Sequence, residues 1–341
     1  MTIRIVQVGI GGFGSSWASE VVPSVPEVEA VGYVDMSPTA LKAIVASGLA
    51  SEDDCFGTLA EAIAATDPDA VLVTTNLPGH APVVTEALQA GRHVLVEKPF
   101  ASTVPEAQAL VDLAAARRLT VAVSQNYRFF PAVRAVQAVV ASGKLGRLLS
   151  IDVDFRKPVR MGPIRTRKPP LAQPLLSDMS IHHFDLMRAV TGLDATSVFC
   201  RTWNPDGYPY SGPPAGAGVL EFGDLTVSYR GSWISPAPET TWAGDWRMSF
   251  DKAEVTWTSR QGGLDDPAAT DAVQIRRDDG RIEPVALPKL PHLDRAGGLH
   301  EFALALAQRR APETAGSGNL GSLAITEAMI ASATSHQPVA L

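Results

Sequence analysis

The sequence predicts an α/β protein with a doubly wound parallel sheet first and an α+β domain second. Strand and helix patterns alternate through residues 1–125, and such alternation builds a parallel sheet with helices on both faces. Beyond residue 125, strand patterns follow one another with few helices between them, as in a large, mostly antiparallel, open-faced sheet. We therefore expect domains at 1–125 and 126–341, with a closing helix near 322–335 that could pack back on the first domain.

Apolar runs and helix boundaries define the elements of the first domain. Residues 3–8 are predicted to form a buried strand and residues 28–34 a second strand. Ser37 and Pro38 are typical of the N-cap and first position of a helix, which Gly48 can end. The other elements predicted here are strands at 70–75, 93–97 and 120–124, and helices at 81–90 and 104–118.

The second domain begins with a predicted helix at 131–142 and a strand at 147–155. A helix over 178–191 is expected to end at Gly192, because glycine readily adopts the left-handed conformation that closes helices. The strands predicted next lie at 196–203, 217–222, 225–234, 246–251, 253–258, 272–277 and 281–287. Helices at 298–309 and 322–335 close the chain.

Composition narrows the class of protein. Apolar residues make up 45% of the 341 residues and charged residues 19%, which is typical of globular proteins. The start of the chain lacks a signal-peptide pattern, and no apolar run is long enough for a membrane span. Cys55 and Cys200 are too few for a disulfide framework or a structural zinc site. We expect a cytoplasmic protein with neither a membrane partner nor a metal site.

The charge distribution argues against a nucleic-acid partner. Residues 1–125 contain 6 basic and 14 acidic side chains, a net charge of −8, and the remainder contains 23 basic and 22 acidic ones. Nucleic-acid binding requires lysine and arginine to neutralise phosphates. The acidic first domain therefore favours a small-molecule partner.

A glycine-rich turn after the first strand has the spacing of a dinucleotide-binding loop. In G-x-G-x-x-G the three glycines permit a tight turn, a close approach of the backbone to a pyrophosphate, and close helix–strand packing. The motif is weak in isolation, but its place between a strand and a helix indicates a Rossmann domain. The candidate cofactor-binding residues of this turn are Gly9, Gly11, Gly12, Phe13 and Gly14.

Asp35 bears on which dinucleotide binds. It follows the second predicted strand, 21 residues after Gly14, where a carboxylate that binds the ribose hydroxyls is expected. A carboxylate repels a 2′-phosphate, and the next five residues contain no arginine to receive one. The sequence thus favours NAD over NADP, although Asp35 could instead cap the helix that begins at Pro38.

Two further groups of residues could carry chemistry. Lys98 follows the predicted strand at 93–97, and the carboxyl ends of strands border the ligand crevice of a doubly wound sheet. Asp178, His182 and Asp185 are spaced to share one helix face. A solvated lysine and a structural Asp–His pair are the plainer alternatives.

These motifs together resemble the glucose–fructose oxidoreductase/inositol dehydrogenase family (Gfo/Idh/MocA). The matching elements are the turn at 9–14, Thr75-Asn76 with His80, the Glu97-Lys98-Pro99 tripeptide, and the D-x-x-x-H-x-x-D spacing of residues 178–185. Their order matches the family from residue 3 to about 192. One departure is Ser180, where the family usually has glycine.

The resemblance implies a role for each matching residue. Lys98 would stabilise the developing negative charge on a reacting hydroxyl, His182 would be the general base, and Asp178 would orient His182. The residues expected at or near the cofactor are Thr75, Asn76, His80, Glu97, Lys98 and Gln125. The implied reaction is NAD(P)-dependent hydride transfer with a sugar, a sugar derivative or a cyclitol. A redox-elimination glycosidase that uses NAD and a catalytically silent dinucleotide sensor are the alternatives.

Substrate contacts and assembly follow less directly from the sequence. Tyr127 and Arg128 come directly after the last predicted strand of the first domain, and we expect them near the substrate. Arg160 and Arg165 belong to a basic segment, 156–170, that could bind an anionic substrate or could be a solvated loop or a subunit contact. An open sheet face gains by burial against a partner, so a homodimer or homotetramer is expected.

Overall fold

The computed structural model describes residues 2–158, 172–206, 208, 210, 212–261 and 266–341. The chain forms two compact units. The first comprises Met1–Asn126 and His292–Leu320, and the second comprises Tyr127–Pro291 and Gly321–Leu341. The first unit thus contains a C-terminal segment that the expected division at residue 125 had placed in the second domain.

The first unit is built on a parallel sheet of six strands in the order β3-β2-β1-β4-β5-β6. The strands are β1 (Ile3–Val8), β2 (Val28–Val34), β3 (Cys55–Phe56), β4 (Ala70–Val73), β5 (His93–Glu97) and β6 (Val121–Ser124). The order runs outward in both directions from β1, which is the doubly wound arrangement predicted by the sequence. The carboxyl ends of β1 and β4 meet beside the switch point, where such sheets bind ligands.

Helices cover this sheet. They are α1 (Phe13–Ser16), α2 (Pro38–Ala46), α3 (Leu59–Thr66), α4 (Leu77–Gln89), α5 (Val104–Arg117) and α8 (Asp294–Ala307). Helix α1 continues as a π-helical segment, Trp17–Val21. Leu299, Phe302 and Ala303 of α8 are buried in the same core as Ile5 and Trp17, which explains why α8 belongs to the first unit.

The second unit is built on a nine-stranded sheet in the order β14-β13-β12-β11-β7-β10-β9-β8-β15. The strands are β7 (Leu148–Arg156), β8 (Ser197–Trp203), β9 (Ala215–Phe222), β10 (Leu225–Ser232), β11 (Asp245–Phe250), β12 (Ala253–Thr258), β13 (Ala272–Arg277), β14 (Ile282–Pro284) and β15 (Val339–Ala340). Only β7 and β10 among these neighbours pair in parallel. The sheet is therefore mostly antiparallel, as expected.

One face of this sheet is buried and the other is exposed. Helices α6 (Pro131–Ala141) and α7 (Ile181–Thr191), together with much of α9 (Gly316–Ser335), contribute to the buried core. Exposed and buried positions alternate along β10 from Leu225 to Arg230, as expected for a strand with one covered face. The open-faced sheet predicted by the sequence is thus present.

The closing helix differs from expectation. The sequence suggested that residues near 322–335 could pack back on the first domain, whereas Ile325 and Met329 are buried in the core of the second unit. Residues 292–320 pack with the first unit instead. Among the helices that the structure describes, none combines the length and apolar character that a bilayer crossing requires.

Candidate active site

The glycine turn packs its first and last glycines tightly against the backbone and leaves Gly11 and Gly12 exposed. Gly9 has φ of 90°, and a Cβ there would lie 2.8 Å from the Thr75 backbone nitrogen. A Cβ on Gly14 would lie 1.9 Å from the carbonyl oxygen of Gly9. Since neither glycine can carry a side chain without a backbone shift, the motif is a structural requirement of this turn.

Gln7 and Thr74, two buried polar residues that the sequence analysis missed, hold the backbone of the turn by hydrogen bonds. The Gln7 amide donates to the Gly14 carbonyl at 2.8 Å and to the Thr74 hydroxyl at 3.0 Å, and Thr74 donates to the Gly9 carbonyl at 2.5 Å. Gln7 lies among the buried residues of β1, whose other polar residue, Arg4, is exposed. A polar residue in such a strand was the available signal, because a buried amide must find partners.

The Asp35 carboxylate is fixed against the same turn. One oxygen accepts from the Ile10 backbone N–H at 2.9 Å, and the other accepts from the Ser37 N–H at 2.8 Å. The N-cap of α2 is the Ser37 side chain, which accepts from the Ala40 N–H. The carboxylate therefore lies beside the loop, where a ribose would be recognised, and capping of α2 is done by its neighbour.

Glu97 anchors the backbone of Lys98. It is buried, with 6% of its surface exposed; one carboxylate oxygen accepts from the Trp17 indole N–H at 2.8 Å, and the other accepts from the Lys98 backbone N–H at 3.0 Å. Burial raises the pKa of the Glu97 carboxyl above its usual range, and the nearby Lys98 opposes that shift. Glu97, which is itself held by Trp17, thus fixes the backbone N–H of Lys98. The Lys98 side chain is half-buried.

His80 connects the loops that follow β4 and β5. Its Nδ1 lies 2.7 Å from the Pro99 carbonyl oxygen and its Nε2 lies 3.2 Å from that of Thr75. Burial lowers the pKa of this imidazole, so the neutral ring is favoured. With 2% of its surface exposed, His80 positions these loops, while Asn76 at the N-cap of α4 is exposed.

Gln125 follows β6, the last strand along this edge. It is 2% exposed, and neither its amide nitrogen nor its amide oxygen has a hydrogen-bond partner among the residues that the structure describes. Unsatisfied buried amides are rare because they lose their bonds to water. An amide that can both donate and accept would suit the carboxamide of a nicotinamide ring.

Arg295 of α8 is a residue near the turn that sequence reasoning missed. Its guanidinium carbon lies 4.9 Å from the Phe13 ring centre and 5.5 Å from that of Trp17, and one nitrogen donates to the Ser16 hydroxyl at 2.7 Å. It thus places a positive charge beside the predicted phosphate-binding turn. Nothing in the sequence links it to that turn, since 279 residues separate Arg295 from Ser16.

In the second unit, His182 is held in a stack of planar groups. Its ring lies 4.0 Å from the Tyr127 ring, centre to centre, and is tilted by only 7°. The Arg260 guanidinium carbon lies 4.4 Å from the centre of the Tyr127 ring, and one of its nitrogens donates to the Tyr127 hydroxyl at 3.1 Å. His182 is 6% exposed. Its orientation is thus restricted by a residue on another element.

Arg260 is a second residue that the sequence analysis missed. Its φ is 65°, an uncommon conformation for a side chain of this size. The Asp271 carboxylate accepts from its backbone N–H at 3.0 Å and helps hold that conformation. The sequence did not indicate this conformation, because a positive φ is expected mainly at glycine or asparagine and residue 260 is an arginine.

Asp185 lies on the same helix as His182 and forms a buried ion pair with Arg128. The Arg128 guanidinium donates to both Asp185 oxygens, at 2.6 and 2.7 Å, and the Ser322 hydroxyl donates to the carboxylate at 2.8 Å. Arg128, expected near the substrate, is therefore engaged with α7. Asp178 is half-buried on the π-helical segment Leu175–Ser180, one turn before His182.

Ser180, the departure from the family pattern, has partners of its own. The Tyr229 hydroxyl donates to it at 2.7 Å, and Ser180 donates to the Leu175 carbonyl at 3.1 Å. The Ser180 hydroxyl thus makes two hydrogen bonds in the core that a glycine at this position would lack. Arg160 and Arg165 of the basic segment lie outside the described residues.

Comparison with known proteins identifies the family. Residues 3–125 match the family model described as "Oxidoreductase family, NAD-binding Rossmann fold", and residues 133–256 match "GFO/IDH/MocA C-terminal domain". The chain is 28% identical over 262 residues to the uncharacterized protein y4oX of Sinorhizobium fredii, an alignment that covers 74% of this chain and 71% of that protein.

Two further proteins are similar over different extents. Inositol 2-dehydrogenase of Rhizobium meliloti is 28% identical over 204 residues, 58% of each chain. An oxidoreductase from Agrobacterium radiobacter, solved with NAD⁺, L-tartaric acid and magnesium, superposes with a TM-score of 0.85 at 19% identity and covers 100% of this chain and 98% of its own. The fold, the NAD-binding Rossmann unit and the C-terminal domain agree, and the chain belongs to the Gfo/Idh/MocA family of NAD(P)-dependent oxidoreductases.

Proposed function

We propose that this protein is a dehydrogenase that uses NAD to oxidise a secondary alcohol of a sugar, a sugar derivative or a cyclitol. The observation that carries the proposal is the stacking of the His182 ring on Tyr127, whose ring is in turn contacted by the Arg260 guanidinium. A structural histidine needs only burial and hydrogen bonds, whereas a general base also needs a fixed orientation towards its proton. The similarity to inositol 2-dehydrogenase supports the class of substrate.

The residues of the first unit fit a nicotinamide dinucleotide. The exposed part of the turn at Gly11 and Gly12 would accommodate a pyrophosphate, Arg295 supplies a nearby positive charge, and Asp35 offers a carboxylate to the ribose. The unpartnered amide of Gln125 would receive the nicotinamide carboxamide. Because the Asp35 charge repels a 2′-phosphate, NAD is preferred over NADP.

The reaction assigns one task to each catalytic residue. His182 accepts the hydroxyl proton of the substrate, Lys98 stabilises the negative charge that develops on that oxygen, and Asp178 orients the His182 ring. The bound NAD⁺ supplies the hydride acceptor, so the products are a ketone, NADH and a proton.

Measurement of NADH formation tests this proposal. The protein is screened with NAD and NADP over inositols, sugars and sugar acids, and the best pair is then used with Lys98→Ala and His182→Asn. We expect each variant to lower kcat by about 10²–10⁴-fold, the usual contribution of a general acid–base group.

Two exposed residues of the same types provide controls. Lys144→Ala and His336→Gln change exposed positions on the surface of the second unit and should keep the wild-type rate. If both Lys98→Ala and His182→Asn also kept it, the assigned roles would be wrong. Cleavage of a glycoside without net NADH would instead identify the redox-elimination alternative.

A further inference from the structure

Three potential metal ligands meet in the first unit, away from the predicted cofactor loop. They are Glu27, which directly precedes β2, His292, where the chain re-enters the first unit, and His300 on α8. Their nearest ligand atoms all lie within 4.8 Å of one another. Residues from three separate stretches of chain are thus brought to one point by the fold.

Glu27 and His300 form the closest pair of the three. The Glu27 Oε2 and His300 Nδ1 atoms are 3.2 Å apart, close enough for an ion pair. The pair therefore places a carboxylate oxygen and an imidazole nitrogen at a separation that two ligands of one metal ion can have.

The distances suit a transition metal after a small side-chain movement. Ligands bound tetrahedrally at about 2.1 Å from zinc lie about 3.4 Å apart, close to the Glu27–His300 separation. The ligand atoms of the three residues lie up to 4.8 Å apart, so the set needs to close by up to about 1.4 Å.

We propose that Glu27, His292 and His300 form a zinc site that fastens the start of α8 to the start of β2. Two imidazoles and one carboxylate are a ligand set that Zn²⁺ accepts, and imidazole disfavours Mg²⁺ and Ca²⁺. The sequence predicted no metal site, because two cysteines are too few for a structural zinc site and Glu27 lies far from the two histidines in the chain.

The site is structural because it lies at the wrong end of the sheet for chemistry. Glu27 precedes β2, and Asp35 follows it. The seven residues of β2 separate these ends by about 23 Å. Ligands of doubly wound sheets bind at the carboxyl ends of the strands, so the metal would act by holding α8 in place.

Metal titration of the protein tests the proposal without NAD or substrate. After treatment with EDTA and dialysis, the wild type is titrated with Zn²⁺ by calorimetry and with Co²⁺ by visible absorption. We expect one equivalent of Zn²⁺ to bind, a tetrahedral Co²⁺ spectrum to appear, and Zn²⁺ to raise the melting temperature.

Conservative variants show whether the three named residues are the ligands. Glu27→Gln, His292→Gln and His300→Gln should each weaken Zn²⁺ binding at least about tenfold, while His336→Gln, at an exposed position, should bind like the wild type. Circular dichroism verifies that each variant is folded. Absence of Zn²⁺ binding in the wild type, or equal binding in all the variants, would overturn the proposal.

Discussion

The Asp185 carboxylate shows how one residue can stabilise the helix that carries the candidate base. It is 1% exposed and binds Arg128 through two hydrogen bonds. Removal of one partner from a buried ion pair leaves the other charge uncompensated. The sequence placed Asp185 on one helix face with His182, whereas its partner Arg128 was expected near the substrate.

We predict that Asp185→Asn lowers the free energy of unfolding by about 3–5 kcal/mol. The matched control is Asp194→Asn, because Asp194 also pairs with an arginine, Arg188, but is 73% exposed. That change should cost less than about 1 kcal/mol. Urea denaturation measures both, and similar losses in the two variants would contradict the assignment.

His183 gives the second unit a dependence on pH. Its ring is fully buried; Nδ1 lies 3.0 Å from the Tyr229 hydroxyl oxygen and Nε2 lies 3.0 Å from the Trp242 carbonyl oxygen. Burial lowers the pKa of His183 from 6.5 to about 4. Below pH 6.5 the unfolded chain takes up a proton that the folded chain refuses, so stability falls between pH 6.5 and pH 4.

We therefore predict that His183 accounts for about 2 kcal/mol of the stability lost between pH 7 and pH 5. His183→Gln has no proton to take up in this range, so its unfolding free energy should fall less on acidification. Urea unfolding at both pH values gives the comparison, in which carboxylates contribute equally to the two proteins. An identical pH dependence would disprove the role of His183.

At the scale of elements, α9 illustrates how glycines in one helix differ in their surroundings. A Cβ on Gly318 would have no atom within 4 Å, whereas one on Gly316 would lie 2.9 Å from Val121 and 3.1 Å from the buried Phe100 ring. Alanine favours a helix over glycine by about 1 kcal/mol. At Gly318 an added methyl group would meet no other atom, so the helix preference of alanine is unopposed there. At Gly316 crowding by Val121 and Phe100 opposes it.

Gly318→Ala should consequently raise the free energy of unfolding by about 0.5–1 kcal/mol. Gly316→Ala should lower it by about 1–3 kcal/mol, because the added methyl group overpacks a filled core. Thermal unfolding of the two variants beside the wild type distinguishes them. Destabilisation by Gly318→Ala would mean that α9 is packed more tightly there than its surroundings indicate.

The elements most accessible to sequence reasoning were those with long, regular patterns. β1, β2, β5, β12 and β13 have the predicted boundaries. The sequence analysis did not predict β3 or α3. Strand β3 has only two residues, too few to show a periodic pattern. The helix predicted over 178–191 begins as a π-helical segment, a difference in hydrogen bonding that residue types do not reveal.

For the whole molecule, the open face of the nine-stranded sheet bears on assembly. Phe199 is 38% exposed and Val219 is 43% exposed on this face, with the Arg230–Asp154 ion pair beside them. Apolar side chains within a ring of charges are typical of a surface that a partner covers. A second copy of the chain can cover it symmetrically, as in most homo-oligomers.

We predict a dimer or tetramer in solution that Val219→Asp shifts towards monomer, because an unpaired carboxylate is costly in an interface core. Light scattering coupled to size-exclusion chromatography measures the mass. Leu49→Asp is the control, since Leu49 is also an exposed apolar residue, at 37%, but lies in the first unit. A monomeric wild type would contradict this prediction.

The sequence by itself determined the doubly wound unit, the glycine turn, Asp35 and the spacing of Asp178, His182 and Asp185. These features depend on neighbours in the chain, and local periodicity and turn chemistry record such neighbours directly. The tertiary structure alone decided that α8 joins the first unit, that Arg260 lies over Tyr127 and that Glu27 meets two histidines. Such contacts join residues more than 100 positions apart, and packing that no local pattern encodes brings them together.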